Sequence, residues 1–179
     1  MELSVEPVLS IEIQDLQSRL KVDPEDLRAL ARHVLRSAGV VRAEVAIVLV
    51  DDATIRDLNR RHLNHDWPTD VITFPLSEAG DSIVRGELVV SVETAKTTAE
   101  NAGIDPWHEL ALYAAHGLLH LLGLDDQTEA DALDMRRREQ EVLSGFGLVN
   151  TFSLIDPAPD EDAGESGLLE RREAARWPS

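Results

Sequence analysis

His116 and His120 stand four residues apart in the stretch His116-Gly117-Leu118-Leu119-His120-Leu121-Leu122-Gly123-Leu124-Asp125-Asp126. On a helix, residues at this spacing lie one turn apart on the same face, so both imidazoles point the same way. Gly123 can adopt the left-handed conformation that ends a helix. The chain can then turn back and carry Asp125 or Asp126 towards the histidines. Two imidazoles and one carboxylate, with a fourth position left to water, form the donor set of a hydrolytic zinc site. The chain has no cysteine, so any metal must sit on His, Asp or Glu. Core histidines satisfied by backbone carbonyls would be the bland alternative, but two such groups on an apolar helix are costly without a common purpose.

The elements that must position this pair follow from the pattern around it. Asp105-Pro106 is a cap-then-proline helix start. From Trp107 to Leu122 the residues are apolar on nearly every side, which marks a central buried helix. Gly117 inside it costs about 1 kcal/mol relative to alanine, so another backbone or the metal site itself is expected to approach there. Asp23-Pro24 opens an earlier helix that Gly39 stops, with His33 off its apolar face and expected at the surface. Val8–Ile13, Ala43–Val50, Val71–Phe74 and Val84–Val92 read as strands. The second of these is buried, the last two pair antiparallel, and Gly86-Glu87 suggests a bulge. Asp51-Asp52 caps a helix from Ala53 to His62, Glu93–Ala102 forms another, and Thr128 caps a last one from Glu129 to Ser144, closed by Gly145. Asn64–Asp70 is a loop. The fold class is therefore α+β: a small mixed sheet covered by about five helices, with the HxxxH pair on the central one. Residues 1–150 are expected to form one domain. Residues 151–179, rich in Pro, Asp, Glu, Gly and Arg, read as an acidic, disordered tail.

The formal charge of the 179-residue chain is −17. That argues mildly against nucleic-acid binding, which usually brings a basic excess, without excluding a local patch. No apolar run approaches the ~20 residues of a membrane span and no signal peptide is visible, so a cytoplasmic protein is expected. A protease reading is weak. Metzincin proteases place a glutamate after the first histidine as general base, and here that residue is Gly117.

The same stretch closely resembles the H-G-x-L-H-L-x-G-x-D-H signature of the YbeY-type rRNA maturation factors, single-strand-specific endoribonucleases. Further similar stretches are Leu58-Asn59, Pro68-Thr69-Asp70-Val71-Ile72-Thr73-Phe74-Pro75, Gly86-Glu87, and Met135 and Glu139 of the last helix. The resemblance spans roughly residues 5–148. It implies a metal-dependent endoribonuclease of single-stranded RNA, taking part in 16S rRNA 3′ end processing and ribosome quality control. Its metal is one divalent ion, zinc, held by His116, His120 and Asp126. Its partners are rRNA and the small ribosomal subunit or associated proteins. Asp125 would orient a ligand imidazole or the water. Two positions depart from the family. Asp126 stands where the family has a third histidine, which makes the site less positive and shifts metal preference towards harder ions. Leu63, preceded by His62, stands where the family has an arginine able to grip phosphate. His65, Arg60 or Arg61 are the substitutes within reach in sequence, although a solvated helix face is the simpler reading of the two arginines. Trp67 to Asp70 would line the cleft, with Trp67 either stacking on a base or anchoring the loop. The alternative to an enzyme is a non-catalytic ribosome-associated factor that keeps its metal.

Overall fold

The computed structural model describes residues 7–78 and 80–148. The tail expected from residue 151 lies outside the described residues. Four strands and five helices follow one another as β1 (Val8–Asp15), α1 (Pro24–Ser37), β2 (Arg42–Val50), α2 (Asp52–Leu63), β3 (Val71–Pro75), β4 (Val84–Ser91), α3 (Val92–Ala102), α4 (Pro106–Leu121) and α5 (Glu129–Phe146). The sheet order is β1-β2-β4-β3. β1, β2 and β4 run parallel and β3 is antiparallel to β4, so the α+β class and the mixed sheet hold.

Alternation along the two central strands divides the core between the sheet's faces. Val45, Ile47, Leu49, Leu88 and Val90 face α1 and α4 in the main core. Val48, Val50, Val89 and Ile72 face the other way, where Ile55 and Leu58 of α2 cover them. α4 is therefore packed on one face of the sheet and α2 on the opposite one. Sequence capping works as expected: Asp23, Asp51, Asp105 and Thr128 each accept a hydrogen bond from a backbone N–H of the first turn they precede.

Three expectations need correction. Gly86 makes no bulge, because it pairs in unbroken register with Val45 and with Pro75. A Cβ there would lie 2.3 Å from Leu121 Cδ2 and 3.0 Å from the Phe74 carbonyl oxygen, so the glycine admits α4 to the sheet. Gly145 does not end α5. The helix continues to Phe146, and Gly147 at φ +98° caps it. Nor is His33 a free surface residue. Its ring packs against Phe146 at 5.7 Å between centroids, with Gly145 leaving room for it. Among the described residues no helix is long and apolar enough to cross a membrane.

Candidate functional site

α4 carries both histidines on one face, and its end explains how the acid reaches them. Gly123 takes φ +89°, its N–H donates to the His120 carbonyl, and the Leu124 N–H donates back to Leu119. The chain reverses within this turn and brings Asp126 over the last turn of α4. His116 Nε2 and His120 Nε2 lie 2.9 Å apart, and Asp126 Oδ2 is 3.9 Å from each. A triangle with these sides has a point about 2.1 Å from all three atoms, the reach of zinc to imidazole nitrogen and carboxylate oxygen. Among the described residues this is the one group of three or more His, Asp or Glu side chains close enough to share a cation.

The protonation pattern fits a cation as well. His116 Nδ1 donates to Glu139 Oε1 at 2.6 Å, and His120 Nδ1 donates to the Leu124 carbonyl at 2.9 Å. A carbonyl can only accept, and so can an ionised carboxylate, so both rings carry their proton on Nδ1. Two bare Nε2 lone pairs are then left facing each other. Either an additional proton or a metal ion must sit between them. Burial lowers the proton affinity of His116, but the Glu139 hydrogen bond and charge, followed by the charges of Asp70 and Asp126, outweigh it and hold this imidazole above its ordinary value. His120 is pushed down, by burial first and by the charge of His116 second. Of the two rings, His116 is therefore the one to hold the proton when no metal is bound.

Glu139 has a role that its sequence context does not announce. It matched a family position in the last helix, and its type and place in a helix gave no hint of a histidine partner. In the structure α5 packs beside α4, and Glu139 is only 4% exposed. The ring-orienting part expected of Asp125 falls to Glu139 and the Leu124 carbonyl. Asp125 itself is exposed and accepts from the Asp126 N–H at 2.8 Å, which braces the turn that presents Asp126.

The other sequence candidates have partners of their own. Arg60 and Arg61 both pair with Asp57 at 2.6 Å, on the helix that covers the opposite face of the sheet. His65 lies flat against Trp67, 4.5 Å between centroids and 13° between planes. Leu63 is the last residue of α2. Asp70 does reach the site, since its charge acts on both His116 and Tyr113. Gly117 faces away from the imidazoles, towards the sheet. A Cβ on it would meet Leu88 Cδ2 at 2.8 Å, Val71 Cγ2 at 3.1 Å and Thr73 Oγ1 at 3.2 Å. The approach anticipated there comes from sheet side chains, not from the metal site.

Comparison with known proteins agrees with this geometry. Residues 12–147 match the sequence model of the family described as Endoribonuclease YbeY. A protein of that name from Moorella thermoacetica is 40% identical over 140 residues, covering 69% of this chain and 89% of its own. Another from Pelotomaculum thermopropionicum is 40% identical over 153 residues, covering 79% and 98%. The solution structure of a Thermotoga maritima protein is similar in fold, with a TM-score of 0.54 at 24% identity over 87% of this chain and 99% of that one.

Proposed function

The chain belongs to the Endoribonuclease YbeY family, and on that premise we propose that it is a zinc-dependent endoribonuclease that cuts single-stranded RNA during ribosomal RNA maturation in the cytoplasm. The 16S rRNA 3′ end and the small ribosomal subunit are the proposed substrate and partner. Residues 1–150 form the hydrolase domain and 151–179 an acidic appendage. The observation that carries the proposal is the pair of Nε2 lone pairs 2.9 Å apart, each ring locked by an acceptor at Nδ1, with one Asp126 oxygen equidistant from both.

His116, His120 and Asp126 would hold the ion, which supplies a Lewis acid for the phosphodiester and makes an attacking water more acidic. Glu139 fixes the tautomer of His116 and makes its Nε2 a stronger donor atom. The Leu124 carbonyl does the same for His120 with a weaker, neutral acceptor. Asp125 holds the backbone that aims Asp126. Asp70 adds negative charge that acts on His116.

The test uses the purified full chain. Elemental analysis should find about one transition metal per chain. Chelation should abolish cleavage of a single-stranded RNA, and His116→Ala should remove both metal and cleavage. RNA cleavage by metal-free His116→Ala protein would end the proposal. Leu63 in the family's arginine position favours a second reading, a ribosome-associated factor without catalysis. It would show as co-sedimentation with small subunits and no metal-dependent cleavage. The protease reading finds no support, because Gly117 points into the sheet where a general base would need to face the ion.

A further inference from the structure

The segment between α2 and β3 holds an exposed tryptophan more firmly than a loop requires. Asn64 ends α2 in the left-handed conformation at φ +57°. The buried Asn59 amide then donates to the Trp67 carbonyl at 2.8 Å. Arg56 Nε and Nη2 clasp both oxygens of Asp66 at 3.0 and 3.1 Å. The His65 ring lies parallel to the Trp67 indole, although this leaves its Nδ1 buried without a hydrogen-bond partner. Leaving a buried polar atom unbonded has a cost, and here it accompanies a fixed indole. Even so, Trp67 remains 43% exposed. The result is an aromatic plane with one face backed by an imidazole and its orientation set by the backbone on both sides.

The place of this plane relative to the metal ligands gives it meaning. After Trp67 come Pro68, the buried Thr69 and then Asp70. The strand that follows packs against α4 one residue after His116: Val71 Cγ2 and Thr73 Oγ1, with Leu88 Cδ2 of β4, are the three atoms a Cβ on Gly117 would meet, and the Thr73 hydroxyl reaches the Gly117 carbonyl at 3.5 Å. Three residues of chain extend at most about 10 Å, so Trp67 stands within the reach of a nucleotide flanking the one being cut.

We propose that the stacked His65–Trp67 pair is a base-binding subsite of the nuclease, on which an unpaired nucleobase next to the scissile phosphate stacks. This rests on the RNA substrate proposed above and specifies how that substrate is held. A chain of charge −17 gains little from general attraction to phosphates, whereas stacking is indifferent to charge and open only to unpaired bases. The same contact thus contributes affinity and selects single strands over duplex, whose bases already stack on one another.

The experiment compares the metal-loaded parent with Trp67→Ala, Trp67→Phe and His65→Ala on a short single-stranded RNA. Trp67→Ala should raise KM roughly five- to hundredfold, the worth of one base–aromatic stack, with kcat and metal content held. Trp67→Phe should keep most of the affinity, and His65→Ala should fall between the two. A KM for Trp67→Ala equal to that of the parent overturns the subsite. Should Trp67→Ala fail to fold, the ranking of parent, Trp67→Phe and His65→Ala decides in the same way, and three equal KM values overturn it. If the parent cleaves no RNA, oligouridylate binding is read by indole fluorescence instead. Quenching that disappears in Trp67→Phe upholds the subsite and places the failure with the nuclease proposal. Absence of quenching in the parent overturns the subsite too.

Discussion

Glu139→Gln isolates the charge of the carboxylate behind His116. Glutamine keeps the size of glutamate and retains an oxygen that accepts from His116 Nδ1–H at the 2.6 Å contact. What it removes is a full negative charge, 4% exposed and therefore poorly screened. That charge strengthens Nε2 as a ligand and stabilises the ring as positive charge builds on it. Outer carboxylates of this kind are typically worth 10- to 100-fold in metal affinity, roughly 1.4 to 2.7 kcal/mol. The close contact and near-complete burial put Glu139→Gln within that range, and Glu139→Ala, which loses the hydrogen bond as well, beyond it. Zinc titration of chelator-stripped protein by calorimetry or with a competing indicator gives the constants directly. Unchanged zinc affinity in both variants, with the fold intact by circular dichroism, would show that His116 does not ligate through Nε2 as argued.

Three further outcomes follow from the same structure. In the stripped protein His116 holds its proton to a higher pH than a free imidazole, so its contribution to folding stability is complete below the ordinary pKa of 6.5 and is lost as pH rises through its raised folded value. Zinc must displace that proton, so binding at pH 6.5 should release about one proton and tighten as pH rises through the His116 value; calorimetry in buffers of different ionisation enthalpy measures it, and proton-neutral binding at this pH would contradict the assignment. Asp126→His should raise zinc affinity relative to manganese, because a third imidazole replaces the hard oxygen ligand, and an unchanged or reversed ratio in paired titrations would argue against Asp126 as a ligand. Gly117→Ala gains about 1 kcal/mol of helix propensity but drives a methyl to 2.8 Å from the buried Leu88, an overpacking that costs about 1–3 kcal/mol; a net loss of stability by chemical denaturation is expected, and a more stable variant would show that α4 stands further from the sheet.

What could be read in the sequence was local. The spacing of His116 and His120, the caps Asp23, Asp51, Asp105 and Thr128, and the stop at Gly123 depend on residues a turn or less away, and each appears where periodicity and capping rules put it. The misreadings concern contacts made across the fold. Gly86 and Gly145 looked like backbone devices, yet they are small because Leu121 and His33 arrive from other elements. Glu139 sits 23 residues from His116, and no pattern within one helix announces a partner on another. Asp125 and Asp126 were indistinguishable by type, and only the course of the turn separated the ligand position from the brace. Arg60 and Arg61 neighbour Leu63 in sequence, and the structure adds that both are paired with Asp57, a contact their order along the helix permits but does not announce.

The two departures from the family pattern bear on each other through charge. With neutral His116 and His120, a divalent ion is balanced by Asp126 and Glu139, and the charge of Asp70 lies beside His116 as well. A third imidazole in place of Asp126 would leave the centre one unit more positive. Leu63 supplies no cation where the family has arginine, and Arg60 and Arg61 are engaged with Asp57. A phosphodiester anion is therefore drawn to this centre less strongly on electrostatic grounds than to a three-histidine site with an arginine at hand. An enzyme so arranged must recover affinity from contacts that carry no charge, and Trp67 is a large exposed aromatic plane stacked on His65, three residues before Asp70. It follows that added salt should weaken RNA binding to this chain only shallowly, while loss of the indole should weaken it at every salt concentration.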